Sequence, residues 1–315
     1  TLLDTLTRSQ DASELADNWA RLAEHFDTLF TTEHSIDRLE QTILQLAVMG
    51  RLVPQDPNDE PASKLLEHIE DEKAKLIKER KWKRTKPLPQ FAAEETPFEI
   101  PVGWKWEKLD AILVDGPTNG WSPKTVEYDT GLRTLTLSAT TKGRFDGSHS
   151  KFVEADLNSN SPLWLFPGDV LIQRSNTPEY VGMAAVYDGP ERGFIYPDLM
   201  MRCRISQNFS TEFFQIVWNA PFNRIWLSQQ ASGTSRSMVK INQTTVRSTQ
   251  IPIPPRAEQE RIVERFKELK TICDYLKARL NQASESQQSL ADSLVKRAIN
   301  GAAPDLAGSQ HSFQF

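Results

Sequence analysis

Side chains that touch nucleic acids gather in four short stretches of this sequence. Asn119, Trp121, Ser122 and Lys124 fall within six residues that also hold Gly120 and Pro123. Lys142 and Arg144 flank Gly143, just after two threonines. Arg174, Ser175 and Asn176 follow an apolar run that ends in Gln173, and Pro178 comes soon after. Ser232, Thr234, Ser235, Arg236 and Lys240 share a run of small residues from Ala231 to Lys240. Hydroxyls and backbone N–H groups of such loops donate to phosphates, while Arg, Lys, Gln and Asn reach base edges with paired hydrogen bonds. Each stretch also reads as an ordinary solvated loop built from turn-forming residues.

Catalytic chemistry has no comparable footing. The sequence lacks a G-x-G-x-x-G, a G-x-x-x-x-G-K-[ST], an H-E-x-x-H and a G-x-S-x-G. Its 42 acidic residues are scattered, so no acid–base pair stands out. Cys203 and Cys273 have no second cysteine or histidine at ligand spacing, and the five histidines stand singly. We expect no catalytic residue, no metal and no cofactor bound by this chain. Neither a secreted disulfide scaffold nor a structural zinc site fits.

The elements that must carry the loops are rods and a mixed domain. From Leu15 to Leu46 apolar residues recur at coiled-coil spacing (Leu22, Phe26, Leu29, then Leu39, Ile43, Leu46), with one repeated step of three at Ile36–Leu39 that acts as a stammer. Gly50, Pro54 and Pro57 stop this helix, and a second is expected over 61–81. The C-terminal series runs without a skip through Ile262, Phe266, Leu269, Cys273, Leu276, Leu280, Gln287, Leu290 and Leu294. That predicts one supercoiled helix over 256–300, opened by Pro254-Pro255, with Gln287 as a polar layer. Leu39-x3-Ile43-Leu44 and Leu290-x3-Leu294-Val295 also match, each leading to a glycine, Gly50 and Gly301. One helical element on both sides of the middle is one explanation; chance similarity of two Leu-rich helices is the other.

Between the rods, 97–254 holds short β-leaning runs at 133–137, 169–173, 184–187 and 200–205, with a helix expected at 211–219. The fold class is therefore α+β: a β-rich globular domain plus long antiparallel coiled-coil helices. The expected boundaries are 1–60 (helical), 61–96 (helix and linker), 97–254 (mixed middle domain), 255–304 (long helix) and 305–315 (disordered tail). Charge is uneven, with 13 basic and 19 acidic residues in 1–96 but 15 of each in 97–254. A nucleic-acid surface must then be a local patch. Seven cations between Lys75 and Lys86 offer another patch, or simply a solvated helix end. No stretch approaches a membrane span and no secretory signal is visible, so a soluble, reducing, cytoplasmic setting is expected.

Ile251-Pro-Ile-Pro-Pro-Arg-Ala-Glu-Gln-Glu-Arg-Ile-Val263 resembles the boundary motif of type I restriction–modification specificity subunits. So do Ile100-Pro-Val-Gly-Trp104, the approach from Leu39 through Gly50 to Pro54, and the run from Leu163 through Pro167-Gly168-Asp169 to Ile172. The resemblance implies a target recognition domain that reads one half of a split DNA site, and helices that act as spacer and dock. Family members usually carry two recognition domains; this chain holds one, which implies a half-size form acting as a homodimer on an inverted repeat. DNA adenine methyltransferase subunits and restriction subunits are the implied partners. S-adenosylmethionine, ATP and Mg would then belong to those partners. Asn219-Ala-Pro-Phe222 is similar to an adenine-methyltransferase motif but lacks its second proline, and no methyl-donor loop lies upstream. An assembly protein whose middle domain binds protein, not DNA, is the other reading that 97–254 allows.

Overall fold

The computed structural model describes residues 2–9, 12–79, 88–89, 91, 95–233 and 238–301. Among them, five helices come first: α1 (Leu2–Arg8), α2 (Ala12–Glu24), α3 (Phe26–Leu29), α4 (Glu33–Val48) and α5 (Ala62–Lys78). The single helix expected over 15–46 is thus three. Thr32 is extended (ψ 151°), its hydroxyl accepts from the Ser35 N–H at 3.2 Å, and the Ser35 hydroxyl accepts from the Thr32 N–H at 3.2 Å. This capping box starts α4 at a point where the apolar spacing shows no skip. The repeated step at Ile36–Leu39 falls inside α4, after the helix boundary.

A 46-residue helix, α9 (Arg256–Gly301), closes the chain, about 69 Å long at 1.5 Å per residue. Its first half lies antiparallel on α4. Lys277 sits 2.6 Å from Asp37 and 3.0 Å from Glu40, Lys270 is 3.2 Å from Glu40, and Asn281 donates to Glu33 at 2.6 Å. Burial alone would lower the Lys277 ammonium, but hydrogen bonds to Asp37 and Glu40 outweigh it and hold its pKa above the usual lysine value. Beneath these pairs Leu22, Leu39, Ile43, Leu46 and Cys273 are buried together with Leu3 and Leu6 of α1. Phe26, Phe266, Leu269, Leu276 and Leu280 pack against them, while Ile262 joins the core of the middle domain.

Three expected seam positions depart from this. Leu29 is 37% exposed, and Leu290 and Leu294 are each 64% exposed. Leu29 sits in the short turn α3, which the break at Thr32 rotates away from α9. Leu290 and Leu294 lie beyond Asn281, where α4 has ended and α9 runs on for twenty residues, about 30 Å. Gln287 stands in this stretch, so it forms no layer within the chain.

The domain between the rods opens with β1 (Lys105–Lys108) and β2 (Leu113–Asn119). Next come β3 (Thr125–Val126), β4 (Arg133–Leu135), β5 (Ser150–Val153), β6 (Val170–Gln173) and β7 (Ser175–Asn176). Then follow β8 (Ala184–Val186), β9 (Met200–Ile205), α6 (Thr211–Asn219) and α7 (Pro221–Gln230). It ends with β10 (Val239–Lys240), α8 (Gln243–Ser248) and β11 (Gln250–Ile253). The main sheet runs β2-β9-β6-β8, antiparallel throughout, and a second runs β3-β5-β4.

Alternation in β6 and β9 divides two cores. Val170, Ile172, Met201 and Cys203 pack with Phe213, Phe214, Val217 and Trp218 of α6. Leu171 and Met200 face the opposite way, toward Leu135, Tyr187, Phe194 and Tyr196. Arg202, on this second face and almost wholly buried, is tied to Asp115 at 2.8 Å, and Arg204 holds Asp169 at 2.6 Å. These pairs fasten β2, β9 and β6 across the sheet. The Asn219-Ala-Pro-Phe222 run is a helix junction. Asn219 brackets the Ala184 backbone at 3.2 and 3.0 Å, Pro221 opens α7, and Phe222 packs on Phe98 and Trp106.

The domain enters and leaves at one place. β1 pairs antiparallel with β11, from Lys105 opposite Ile253 to Lys108 opposite Gln250. Glu258, in the first turn of α9 and buried, accepts from Trp104 Nε1 at 2.8 Å and from Gln55 Nε2 at 2.6 Å. Burial pushes its carboxyl above the usual range, partly offset by these bonds. Gln259 accepts from the Ser210 N–H at 2.8 Å, and Arg261 donates to Asp59 at 3.2 Å. Gly50 adopts φ +68°, and a Cβ there would strike Pro101 and Trp104. The motifs around Gly50, Ile100–Trp104 and Ile251–Val263 therefore meet in one junction.

Candidate nucleic-acid interface

Two of the four stretches converge on the segment 196–199, which leads into β9, and a third pairs with one of them. After β2, the Gly120 N–H donates to Met200 O at 3.1 Å and the Trp121 N–H to Tyr196 O at 3.0 Å. Gly120 has no room for a Cβ, because the Tyr196 and Pro197 carbonyls press against it. Ser122 donates to Asp198 Oδ1 at 2.6 Å and accepts from the Asp198 N–H at 3.2 Å. From the other side, the N–H groups of Arg174 and Ser175 donate to Leu199 O at 2.8 and 3.2 Å. Arg174 also reaches Asp198 O at 3.3 Å.

The third stretch joins through a two-residue ladder. β10 pairs with β7, Val239 opposite Asn176 and Lys240 opposite Ser175, and the Ile241 N–H donates to Arg174 O at 3.0 Å. Ser232 and Lys240 bond reciprocally at 3.0 and 2.8 Å. Thr234, Ser235 and Arg236 lie outside the described residues. So do Arg80, Lys81, Lys83, Arg84 and Lys86 of the linker, and the 305–315 tail.

The fourth stretch leads with a short turn, Leu137–Ala139, and attaches to the end of β6 through Gln173. Lys142 and Arg144 are exposed, while Gln215 of α6 donates to the Gly143 carbonyl. Next to them, hydrogen bonds from the side chain and backbone of Ser148 hold the Asp146 carboxyl below the usual carboxylate range. The candidate surface thus presents Asn119, Trp121, Ser122, Lys124, Lys142, Arg144, Ser232 and Lys240 as exposed side chains, with Arg174 and Asn176 partly so. Trp121 is 43% exposed and Met238, next to β10, 44%.

Ser175 corrects the expectation. It is fully buried and its hydroxyl meets no hydrogen-bond partner among the described residues, because the β7–β10 ladder turns it inward. The sequence reading also passed over Asp198 and Met238. Asp198 is one acid in a neutral domain, and only its place opposite Ser122 and Arg174 marks it. Met238 could have been found as a large apolar residue stranded in a small polar loop. Lys124 has an acidic neighbour, Glu154, at 3.9 Å. No group of three or more His, Cys, Asp or Glu among the described residues could hold a metal ion, and no helix among them is long and apolar enough to cross a membrane.

The class that fold and surface define is a helix-flanked, β-rich domain whose loops offer cations, amides and an aromatic ring on one patch. Residues 158–285 match the model of the type I restriction modification DNA specificity domain. The chain is 39% identical over 305 residues to the type I restriction enzyme EcoEI specificity subunit of Escherichia coli, covering 95% of this chain and 51% of that one. Against the EcoAI specificity subunit of Escherichia coli it is 39% identical over 303 residues, with the same coverage. The fold is shared with a solved structure from work on complex assembly and conformational transition of the type I R-M system, at TM-score 0.51 and 17% identity over 84% of this chain and 57% of that one. The protein is therefore a relative of type I restriction enzyme specificity subunits, and it spans about half the length of the curated relatives it matches.

Proposed function

We propose that this chain is a non-catalytic, sequence-specific DNA-binding subunit of a type I restriction–modification complex, reading one half of a bipartite target. The observation that carries this is that the loops at 119–124 and 174–176 converge on the segment 196–199, while 232–240 pairs with 174–176. That convergence gathers cations, amides and Trp121 on one patch of a domain whose net charge is zero. Phosphate contacts from such a patch set position, and its amides and guanidinium groups set sequence. One domain reads few base pairs, too few for selectivity in a genome. Two copies related by a two-fold axis would read an inverted repeat at a spacing fixed by the rods.

The distal half of α9 supports pairing. Leu290, Leu294 and Val295 are all more than half exposed, on a stretch of α9 that runs past its last hydrogen bond to α4 at Asn281 among the described residues. Such a stripe is stabilised by a second copy or by a partner helix. In this reading the helices also dock DNA adenine methyltransferase subunits, which use S-adenosylmethionine, and restriction subunits, which use ATP and Mg, in the cytoplasm. Mapping methylated bases in a host that carries the partner subunits tests the whole proposal. A bipartite palindromic modified site is the expected outcome; a site without two-fold symmetry removes the homodimer.

The balanced charge of 97–254 favours a second reading, an assembly protein whose middle domain binds protein. Gel shift on mixed-sequence duplex, with and without the methyltransferase subunit, separates the two. A shift in either lane that competes with duplex DNA excludes it.

A further inference from the structure

Gln173 ends β6 where the candidate loops meet, and none of it is exposed. Its neighbours Arg174 and Asn176 make it look like a side chain that reaches a base edge, but burial removes that use. Its amide nitrogen lies 2.9 Å from the Leu137 carbonyl, 3.0 Å from Thr140 Oγ1 and 3.1 Å from Thr141 Oγ1. Two N–H groups therefore serve three acceptors in a single loop. The amide oxygen accepts from Asn176 Nδ2 at 2.6 Å, and Asn176 Oδ1 in turn accepts from the Thr177 N–H at 2.7 Å. The backbone of Gln173 is fixed separately, by bonds to Met183 O at 2.8 Å and from the Gly182 N–H at 2.7 Å. One buried amide thus ties the loop carrying Lys142 and Arg144 to the corner carrying Arg174 and Asn176.

We propose that Gln173 is a positioning residue for sequence reading: it touches no DNA and holds two contact loops in one register. The role rests on the DNA-reading function proposed above. A buried amide suits it, because every group in the network is satisfied in this arrangement and left unpartnered if the loops slide. Gln173→Leu keeps a similar volume, removes the donor that the three acceptors share and releases Asn176. Thr140→Val with Thr141→Val weakens the same link from the other side without altering β6. In both variants the turn keeps its backbone bonds, from the Thr140 N–H to Leu137 O and from the Asp146 N–H to Ala139 O, while the double valine variant also loses the two hydroxyl bonds to Leu137 O. The loop is therefore loosened, not unfolded.

The full chain is tested in two ways. Without DNA, amide hydrogens of 138–145 should exchange roughly tenfold faster or more in both variants, with β6 and β9 unchanged. Unaltered exchange overturns the clamp. With DNA, a duplex enriched from a random pool by the wild type is compared with a scrambled duplex. The preference should fall roughly tenfold or more in each variant, the scale of one lost base contact, while binding to the scrambled duplex keeps its affinity and salt slope. The combined variant should be little worse than either, because both cut one link. A selective wild type with equally selective variants overturns this role alone. Loss of scrambled-duplex binding together with preference also overturns it, since that is a merely structural effect. A wild type that enriches no duplex overturns the DNA-reading function and this role together.

Discussion

Removing Lys142 and Arg144 together should change how salt weakens DNA binding, by an amount that the structure sets. Among the described residues of the candidate surface there are five cations: Lys124, Lys142, Arg144, Arg174 and Lys240. If each neutralises one phosphate, log K falls with log salt at a slope of about −4.5, and affinity drops about 500-fold per subunit between about 50 and 200 mM salt. Five is an upper count, because Lys124 shares its charge with Glu154 and Arg174 is bonded to Asp198 O. Lys142→Ala with Arg144→Ala leaves three, a slope of about −2.7, and a loss of only about 40-fold over the same range. Both side chains are exposed and form no ion pair within 4.0 Å among the described residues, so folding stability should move by less than about 0.5 kcal/mol. Fluorescence anisotropy of a labelled mixed-sequence duplex, repeated across the salt series, reads the slope directly. An unchanged slope with unchanged affinity would remove this loop from the surface. Weaker affinity at an unchanged slope would mean that the pair reads bases and not phosphates.

Arg236→Ala with Lys240→Ala should flatten the same slope by a similar amount. Gly120→Ala should cost binding, because its Cβ meets the Tyr196 and Pro197 carbonyls and must displace the Trp121–Lys124 turn; equal affinity in the anisotropy assay refutes the close approach. Ile43→Ala, which empties a buried position between α4 and α9, should destabilise by about 2–5 kcal/mol in urea unfolding, and a loss below about 1 would mean that the seam is loose. Leu290→Ser with Leu294→Ser should shift light scattering toward the monomer while leaving the unfolding midpoint of that monomer unchanged. Glu258 has a folded pKa raised by burial, so the native state holds its proton more tightly than the unfolded chain. Its contribution is fully present below the ordinary glutamate value and is lost as pH rises through the folded one. Relative to Glu258→Gln, the wild type should therefore gain stability on acidification toward about pH 5, and parallel pH profiles would refute it.

Local pattern and distant pairing account for what could be read in advance. The helix at Thr211–Asn219 and the strand at Met200–Ile205 follow from apolar runs with their own caps and turns, and both occur at the expected residues. The break at Thr32 was hidden because the 4-3 spacing runs across it from Leu29 to Ile36, and because serine, not glutamate, completes the capping box. The four candidate loops were visible as loops. That two of them meet at Tyr196–Leu199 and a third pairs with 174–176 was not, since β7–β10 is a two-residue ladder joining segments more than sixty residues apart, which no periodicity records. For the same reason Ser175 and Gln173 looked like contact residues. Their types suit DNA, and only the register of the strands turns them inward.

Because β1 and β11 lie side by side, the whole stretch between Lys108 and Gln250 leaves and rejoins the scaffold through a doorway one strand-pair wide. Lengthening, shortening or replacing the cargo beyond that doorway does not lever the flanking rods apart, provided Trp104, Gln55 and Glu258 keep their clasp. Under the proposed function, a different domain can be transplanted onto the same frame, with the span between paired domains inherited unchanged.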